Sequence, residues 1–201
     1  MRSRFLAGIV LAAGLVLAAG LIVTAGASLA APVYNSDPDE RFTGGTPRSK
    51  FGISLIPRRT VNFTGKYKPG EIVINTKERR LYYVLDGGEA VRYGIGVGRA
   101  GFQWAGMHKV TGKKENPDWT PPPQMHARQK GLPAFMKGGD PENPLGVRAM
   151  YLGSTLYRIH GSNDPESIGE AASSGCFRMT NDDVKHLYER VNIGTVVHVL
   201  R

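Results

Sequence analysis

The stretch from residue 71 to 97 most restricts what this chain can become. Ile72-Val73-Ile74 is a short β-branched run, Thr76-Lys77-Glu78-Arg79 a turn, and Leu81-Tyr82-Tyr83-Val84-Leu85 a second extended run. Asp86-Gly87-Gly88 is a strong hairpin signal, and residues 90–97 alternate into a third strand. Strands joined by such short turns make a meander, so a helical bundle is excluded as the frame. The 26 glycines and 13 prolines among 201 residues agree, because they break helices and punctuate short strands. No tandem repeat is visible, which removes solenoids and propellers. With 41% hydrophobic and 21% charged residues, a packed core is attainable and bulk disorder is not expected. The length suits one ordinary domain with or without a tail.

The N-terminus points to export. Arg2 and Arg4 precede an uncharged stretch over 5–23, and then small residues gather at Ala27-Ser28-Leu29-Ala30-Ala31. This is the layout of a secretory signal over 1–30, with Ser28-Leu29-Ala30 as the cleavage tripeptide and the periplasm or cell envelope as destination. The apolar run exceeds the roughly 7–15 residues of a signal core. It approaches the about 20 that span a bilayer, so retention as an inner-membrane anchor is the alternative. No cysteine lies near the site, which excludes lipoprotein attachment. Residues 31–66 hold Asn35-Ser36-Asp37-Pro38, Gly44-Gly45-Thr46-Pro47 and Pro57, with one apolar cluster at 53–56, and read as a linker, part of which can pack on the domain. The folded domain is expected over 67–201. The net charge of +9 serves solubility or attraction to an acidic polymer; export leaves no nucleic acid as partner.

Residues 99–155 are rich in Gly and Pro and include Trp104 and Trp119. They read either as a disordered insert or as short strands with substrate-lining loops, and the aromatics favour the second. Residues 149–152 and 156–159 are strand-like around Gly153-Ser154, the second leading into His160-Gly161-Ser162. Thr180 caps a helix whose first turn carries Asp182 and Asp183, the latter at the capping-box position. Val184, Leu187, Tyr188 and Val191 form its apolar stripe, and Asn192-Ile193-Gly194 ends it. A β-branched strand over 196–200 closes the chain. The expected fold is a mostly β domain with one late helix.

Cys176 is the sole cysteine, so no intrachain disulfide exists. It sits in Ser173-Ser174-Gly175-Cys176-Phe177-Arg178, where small residues suggest a tight turn and a reactive thiol rather than a core position. A nucleophilic thiol needs a base. Of five histidines, His186 and His198 fit packing or surface positions, and His108 and His126 lie in the loop-rich middle. His160 ends a strand sixteen positions before Cys176, so one returning loop could bring the two together. No paired Cys/His spacing supports zinc or haem, and no metal or cofactor is expected.

His160-Gly161-Ser162-Asn163, Ile168-Gly169 and Ser173-Ser174-Gly175-Cys176-Phe177-Arg178-Met179 together resemble the signature of the L,D-transpeptidase family, the YkuD-type catalytic domain. Residues 71–85, Trp119-Thr120-Pro121-Pro122, Asn143-Pro144-Leu145-Gly146 and the closing helix and strand extend the likeness over about 67–200. The resemblance implies a β-sandwich or barrel. It also implies an acyltransferase that joins peptidoglycan stem peptides through a Cys176 thioester, releasing a terminal D-Ala, with His160 as base. In that reading Gly175 and Cys176 supply oxyanion N–H groups, and the Gly161 carbonyl orients His160. Arg178 holds a stem carboxylate or braces the loop. Ser173, Ser174, Trp119 and Trp104 are candidates for substrate contact, with loop bracing the favoured role for Ser173 and core packing the alternative for the tryptophans. Many members carry a histidine where this chain has Ser174. The acceptor is an amine, on another stem or on a wall-attached lipoprotein. Water as acceptor would instead give a carboxypeptidase or hydrolase. A non-catalytic wall-binding module and an inter-chain disulfide dimer are the remaining classes.

Overall fold

The computed structural model describes residues 56–201; the expected signal segment and residues 31–55 of the expected linker lie outside the described residues. In chain order the strands are Arg59–Asn62 (β1), Ile72–Asn75 (β2), Arg80–Val84 (β3), Glu89–Gly94 (β4), Val97–Gly98 (β5), Gly106–Glu115 (β6), Arg148–Leu152 (β7), Arg158–His160 (β8), Ala171–Ser173 (β9), Phe177–Arg178 (β10) and Val196–Leu200 (β11). The helices are Pro123–Arg128 (α1) and Asn181–Tyr188 (α2). Nine strands form one sheet in the order β1-β4-β3-β2-β11-β6-β7-β8-β10, and β5 pairs with β9 apart from it.

The expected meander is β2-β3-β4, paired antiparallel throughout. Its Ile72-Val73-Ile74 run is buried at every position because both faces of the sheet are covered. Ile72 and Ile74 enter the main core, while Val73 enters a smaller cluster with Phe63, Tyr82, Val84 and Ala90. That second cluster takes in the end of the expected linker. Residues 59–62 form the edge strand beside β4, and Phe63 stacks on Tyr82 with ring centroids 4.8 Å apart. The polar look of Arg59-Thr60-Val61-Asn62 hid it, since an edge strand gains its ladder from backbone groups and shows one exposed face.

Strand β6 turns the sheet into two leaves. Its first half pairs with β11 and its second with β7, with a register shift between Val110 and Gly112. Side chains from both leaves and from α2 meet in one cluster that includes Ile74, Leu81, Val110, Met150, Ile159, Phe177 and Leu187. The 99–155 region is therefore ordered, as the second of its two readings expected, with the short helix α1 added.

Helix α2 starts as expected. The Asp183 N–H donates to Thr180 Oγ1 at 3.2 Å, while the Asp183 carboxylate accepts from Arg58 Nη1 at 2.8 Å. The helix ends at Tyr188, short of Asn192, and Lys113 Nζ donates to the carbonyls of Tyr188 and Val191 at 2.6 Å, a cation on the helix's negative end. Thr180→Ala is expected to cost about 1 kcal/mol by stranding that capping interaction. A chemical-denaturation midpoint unchanged from wild type would contradict it.

Candidate active site

Strand register builds the site. β8 and β10 run parallel, with Ile159 beside Phe177 and His160 beside Arg178. Ile159 and Phe177 point into the core. Side chains alternate along a strand, so Arg158 and His160 on β8, and Cys176 and Arg178 around β10, share the opposite face. All four line one cavity of about 610 Å³. The same register sets Cys176 next to Arg158, and both the backbone N–H and the guanidinium of Arg158 face the thiol. Sequence reading passed over Arg158; its sole signal was its place two residues before His160 on one strand face.

His160 is buried, at 4% exposure, and its Nδ1 lies 2.6 Å from the Gly161 carbonyl oxygen. A carbonyl only accepts, so Nδ1 carries the proton and Nε2 is left with its lone pair. Gly161 can approach because it has no side chain: a β-carbon there would overlap Asn181 Oδ1. Burial drives the His160 pKa down to about 3, against an upward pull from the Gly161 bond, and Arg178 and Arg158 push it further down. Burial also pushes the Cys176 thiol up, opposed by Arg158 and Arg178. At neutral pH the pair is thiol and neutral imidazole.

The loop before Cys176 is held by Ser173. Its hydroxyl donates to the Cys176 carbonyl at 2.6 Å and accepts from the Gly175 N–H at 3.1 Å. The Ser173 hydroxyl thus bridges the loop's own backbone, and the Gly175 N–H is bonded to Ser173 Oγ. Trp104 is not among the residues that line the cavity. It stacks on Tyr157 (4.5 Å, 13°), and its Nε1 donates to the Gly175 carbonyl at 2.9 Å, so it supports the nucleophile turn from behind. Trp119 and Ser174 do line the cavity. His186 bonds Tyr93 and His198 bonds Glu71, both away from the site. Among the described residues no group of three or more His, Cys, Asp or Glu is placed to hold a metal ion.

A family model described as the L,D-transpeptidase catalytic domain (YkuD) matches residues 69–199, most of the chain and all of the site. The chain belongs to the L,D-transpeptidase family. It is 43% identical over 138 residues to the "Probable L,D-transpeptidase YbiS" of Escherichia coli, a match covering 64% of this chain and 44% of that protein. The chain spans less than half the length of the curated Escherichia coli relatives it matches. The NMR structure of the catalytic domain of the E. faecium L,D-transpeptidase shares the fold, with a TM-score of 0.52 at 23% identity, covering 68% of this chain and all of that one.

A crystal structure from Brucella melitensis is 46% identical, covers 74% of this chain and 96% of that one, and has a TM-score of 0.50. It is described as a "Probable carnitine operon oxidoreductase caia". In this L,D-transpeptidase chain Gly96-Val97-Gly98-Arg99-Ala100-Gly101 does spell a dinucleotide-type G-x-G-x-x-G. That string runs from β5 toward β6, however, and no helix opens behind it to receive a pyrophosphate. Within the L,D-transpeptidase family, the place that often holds a second histidine is Ser174 here, and the cation beside the thiol is Arg158 from the neighbouring strand.

Proposed function

We infer that this protein is an envelope acyltransferase that acts on peptidoglycan stem peptides. The observation that carries the reading is the β8–β10 register: it sets a lone thiol and a base-competent imidazole on one face of a cavity whose charged lining residues are all arginine. Cys176 attacks the carbonyl that precedes the terminal D-Ala of a tetrapeptide stem, and His160 Nε2 takes the thiol proton. The proton passes to the departing D-Ala amine as the C–N bond breaks, leaving a thioester on Sγ. An amine acceptor then attacks, gives its proton to His160 and receives the acyl group, which restores the thiol.

The Cys176 N–H is assigned to the oxyanion, since the Gly175 N–H is held by Ser173. Arg158 steadies the thiolate as it forms, and Arg178, beside His160, faces a stem carboxylate. Gly161 orients the base; Trp119 and Ser174 contact the stem. Residues 1–30 direct export, either cleaved or retained as an anchor, and residues 31–55 serve as the tether. The acceptor is the amine of another stem or of a wall-attached lipoprotein.

The test is incubation of the full chain with disaccharide-tetrapeptide, with products read by mass spectrometry. Cross-linked dimers lacking one D-Ala are expected, with a transient acyl mass on Cys176. Tripeptide alone would make the protein a hydrolase of the same fold. No product and no acyl mass would overturn the enzymatic reading and favour a wall-binding module.

A further inference from the structure

The cavity wall holds four arginines, Arg99, Arg128, Arg158 and Arg178, and no Asp or Glu. The ion pairs among the described residues use other cations, namely Arg58, Lys114, Arg148 and His198. Arg99 and Arg128 are exposed at the cavity rim and pair with no carboxylate among the described residues, so their charge is available to an anionic ligand. Arg158 and Arg178 belong to the reacting centre. Arg99 and Arg128 do not, and they come from separate segments: the turn after β5 and the last residue of α1.

These two meet on one side chain. The guanidinium carbon of Arg99 lies 4.6 Å from the Phe102 ring centroid, and that of Arg128 lies 4.9 Å from it. The charges are thus within about 10 Å of each other, the screening length at 0.1 M salt. At these distances each guanidinium is in cation–π range of Phe102, and its planar fork keeps N–H donors for a carboxylate. The turn itself is anchored to the nucleophile loop: the Arg99 N–H donates to the Ser173 carbonyl at 3.0 Å, and the Phe102 N–H to the Arg99 carbonyl at 2.9 Å. A ligand held by this pair is therefore held in register with Cys176.

We propose that Arg99 and Arg128, mounted on Phe102, form a carboxylate clamp that makes the protein select stem peptides with free side-chain carboxylates over amidated ones. This rests on the stem-peptide reading above and names the chemistry that reading leaves open. The shared chemistry is a carboxylate on the glutamyl residue or on the diamino acid, and separate amides at each position distinguish them.

The experiment compares three disaccharide-tetrapeptides, unmodified, amidated at the glutamyl carboxylate and amidated at the diamino-acid carboxylate. Substrates are given to the full chain, to Arg99→Gln/Arg128→Gln and to Arg99→Lys/Arg128→Lys. D-Ala release gives kcat and KM, and calorimetry on full-length Cys176→Ala gives binding without turnover. Wild type is expected to favour the unmodified stem over one of the amides by about 10- to 100-fold in kcat/KM, as charge-assisted bidentate bonds imply. The Gln pair should erase that preference with the loss carried in KM, and the Lys pair should restore part of it. Equal turnover of all three stems by wild type, or a Gln-pair loss that is equal on all three, overturns the clamp and leaves the stem-peptide reading standing. Carboxylate-dependent binding to Cys176→Ala without turnover by wild type supports the clamp and overturns the acyltransfer reading. Neither binding nor turnover overturns both.

Discussion

Cys176→Ala is expected to abolish D-Ala release from a tetrapeptide stem, a loss of at least ~10⁴-fold, and His160→Gln to lower it by roughly 10²–10⁴-fold. The two effects should not add, because thiol and imidazole work as one unit: without the nucleophile the base has no proton to take. The protonation of the pair gives the second half of the expectation. His160 is held neutral down to about pH 3, and Cys176 stays a thiol above the pH where an ordinary cysteine ionises, in both cases chiefly through burial. A pre-formed thiolate–imidazolium pair is therefore not the resting state, and the proton moves during attack. Alkylation of Cys176 by iodoacetamide, which consumes thiolate, should keep rising about tenfold per pH unit through pH 9, with no plateau near neutrality. The acid limb of kcat/KM should lie well below the ordinary histidine pKa of about 6.5, because a lowered pKa keeps the ring basic as pH falls. An alkylation plateau between pH 5 and 8 would show a standing ion pair and sink this account. Arg158→Gln should move the alkylation profile further upward, since it removes a cation that favours thiolate.

Gly175→Ala is the other large effect. Gly175 has φ +106°, a region that side chains rarely enter, and a β-carbon would lie 2.6 Å from Tyr157 Cε1. Tyr157 has little room to give, because its other face stacks on Trp104, and Trp104 is in turn bonded to the Gly175 carbonyl. Backbone strain and overpacking together cost roughly 2–5 kcal/mol, and the displaced turn carries Cys176 with it. Activity should fall by about 10²-fold or more, the size associated with ångström-scale misplacement of a reacting group. The melting temperature should drop by roughly 5–15 °C. Gly131→Ala is the control: φ is +80° with nothing within 4 Å of the added carbon, so only the backbone strain is present. Equal losses in the two variants would remove the packing argument, and native stability and turnover in Gly175→Ala would remove the whole of it.

Local chemistry was enough to read β2, β3 and β4, the Thr180 cap and the closing strand, because each depends on neighbours within one turn or one strand. That His160 and Cys176 share one cavity was legible for a different reason. Nucleophile and base are rare residue types, and a short loop separates the strands that bear them. What escaped was set by contacts distant in the chain. β1 looks polar because its partner supplies the hydrogen bonds and Phe63 the burial. β6 is ten residues long yet buries only Val110, so no alternation announces it. Arg158 becomes the thiol's neighbour only through the parallel register of β8 and β10, and Arg99 meets Arg128 only because a turn and a helix close on Phe102. The identities of the candidate reacting groups were thus written locally. Their charge environment was not, since a field at one atom sums contributions from segments that become neighbours only when the sheet closes.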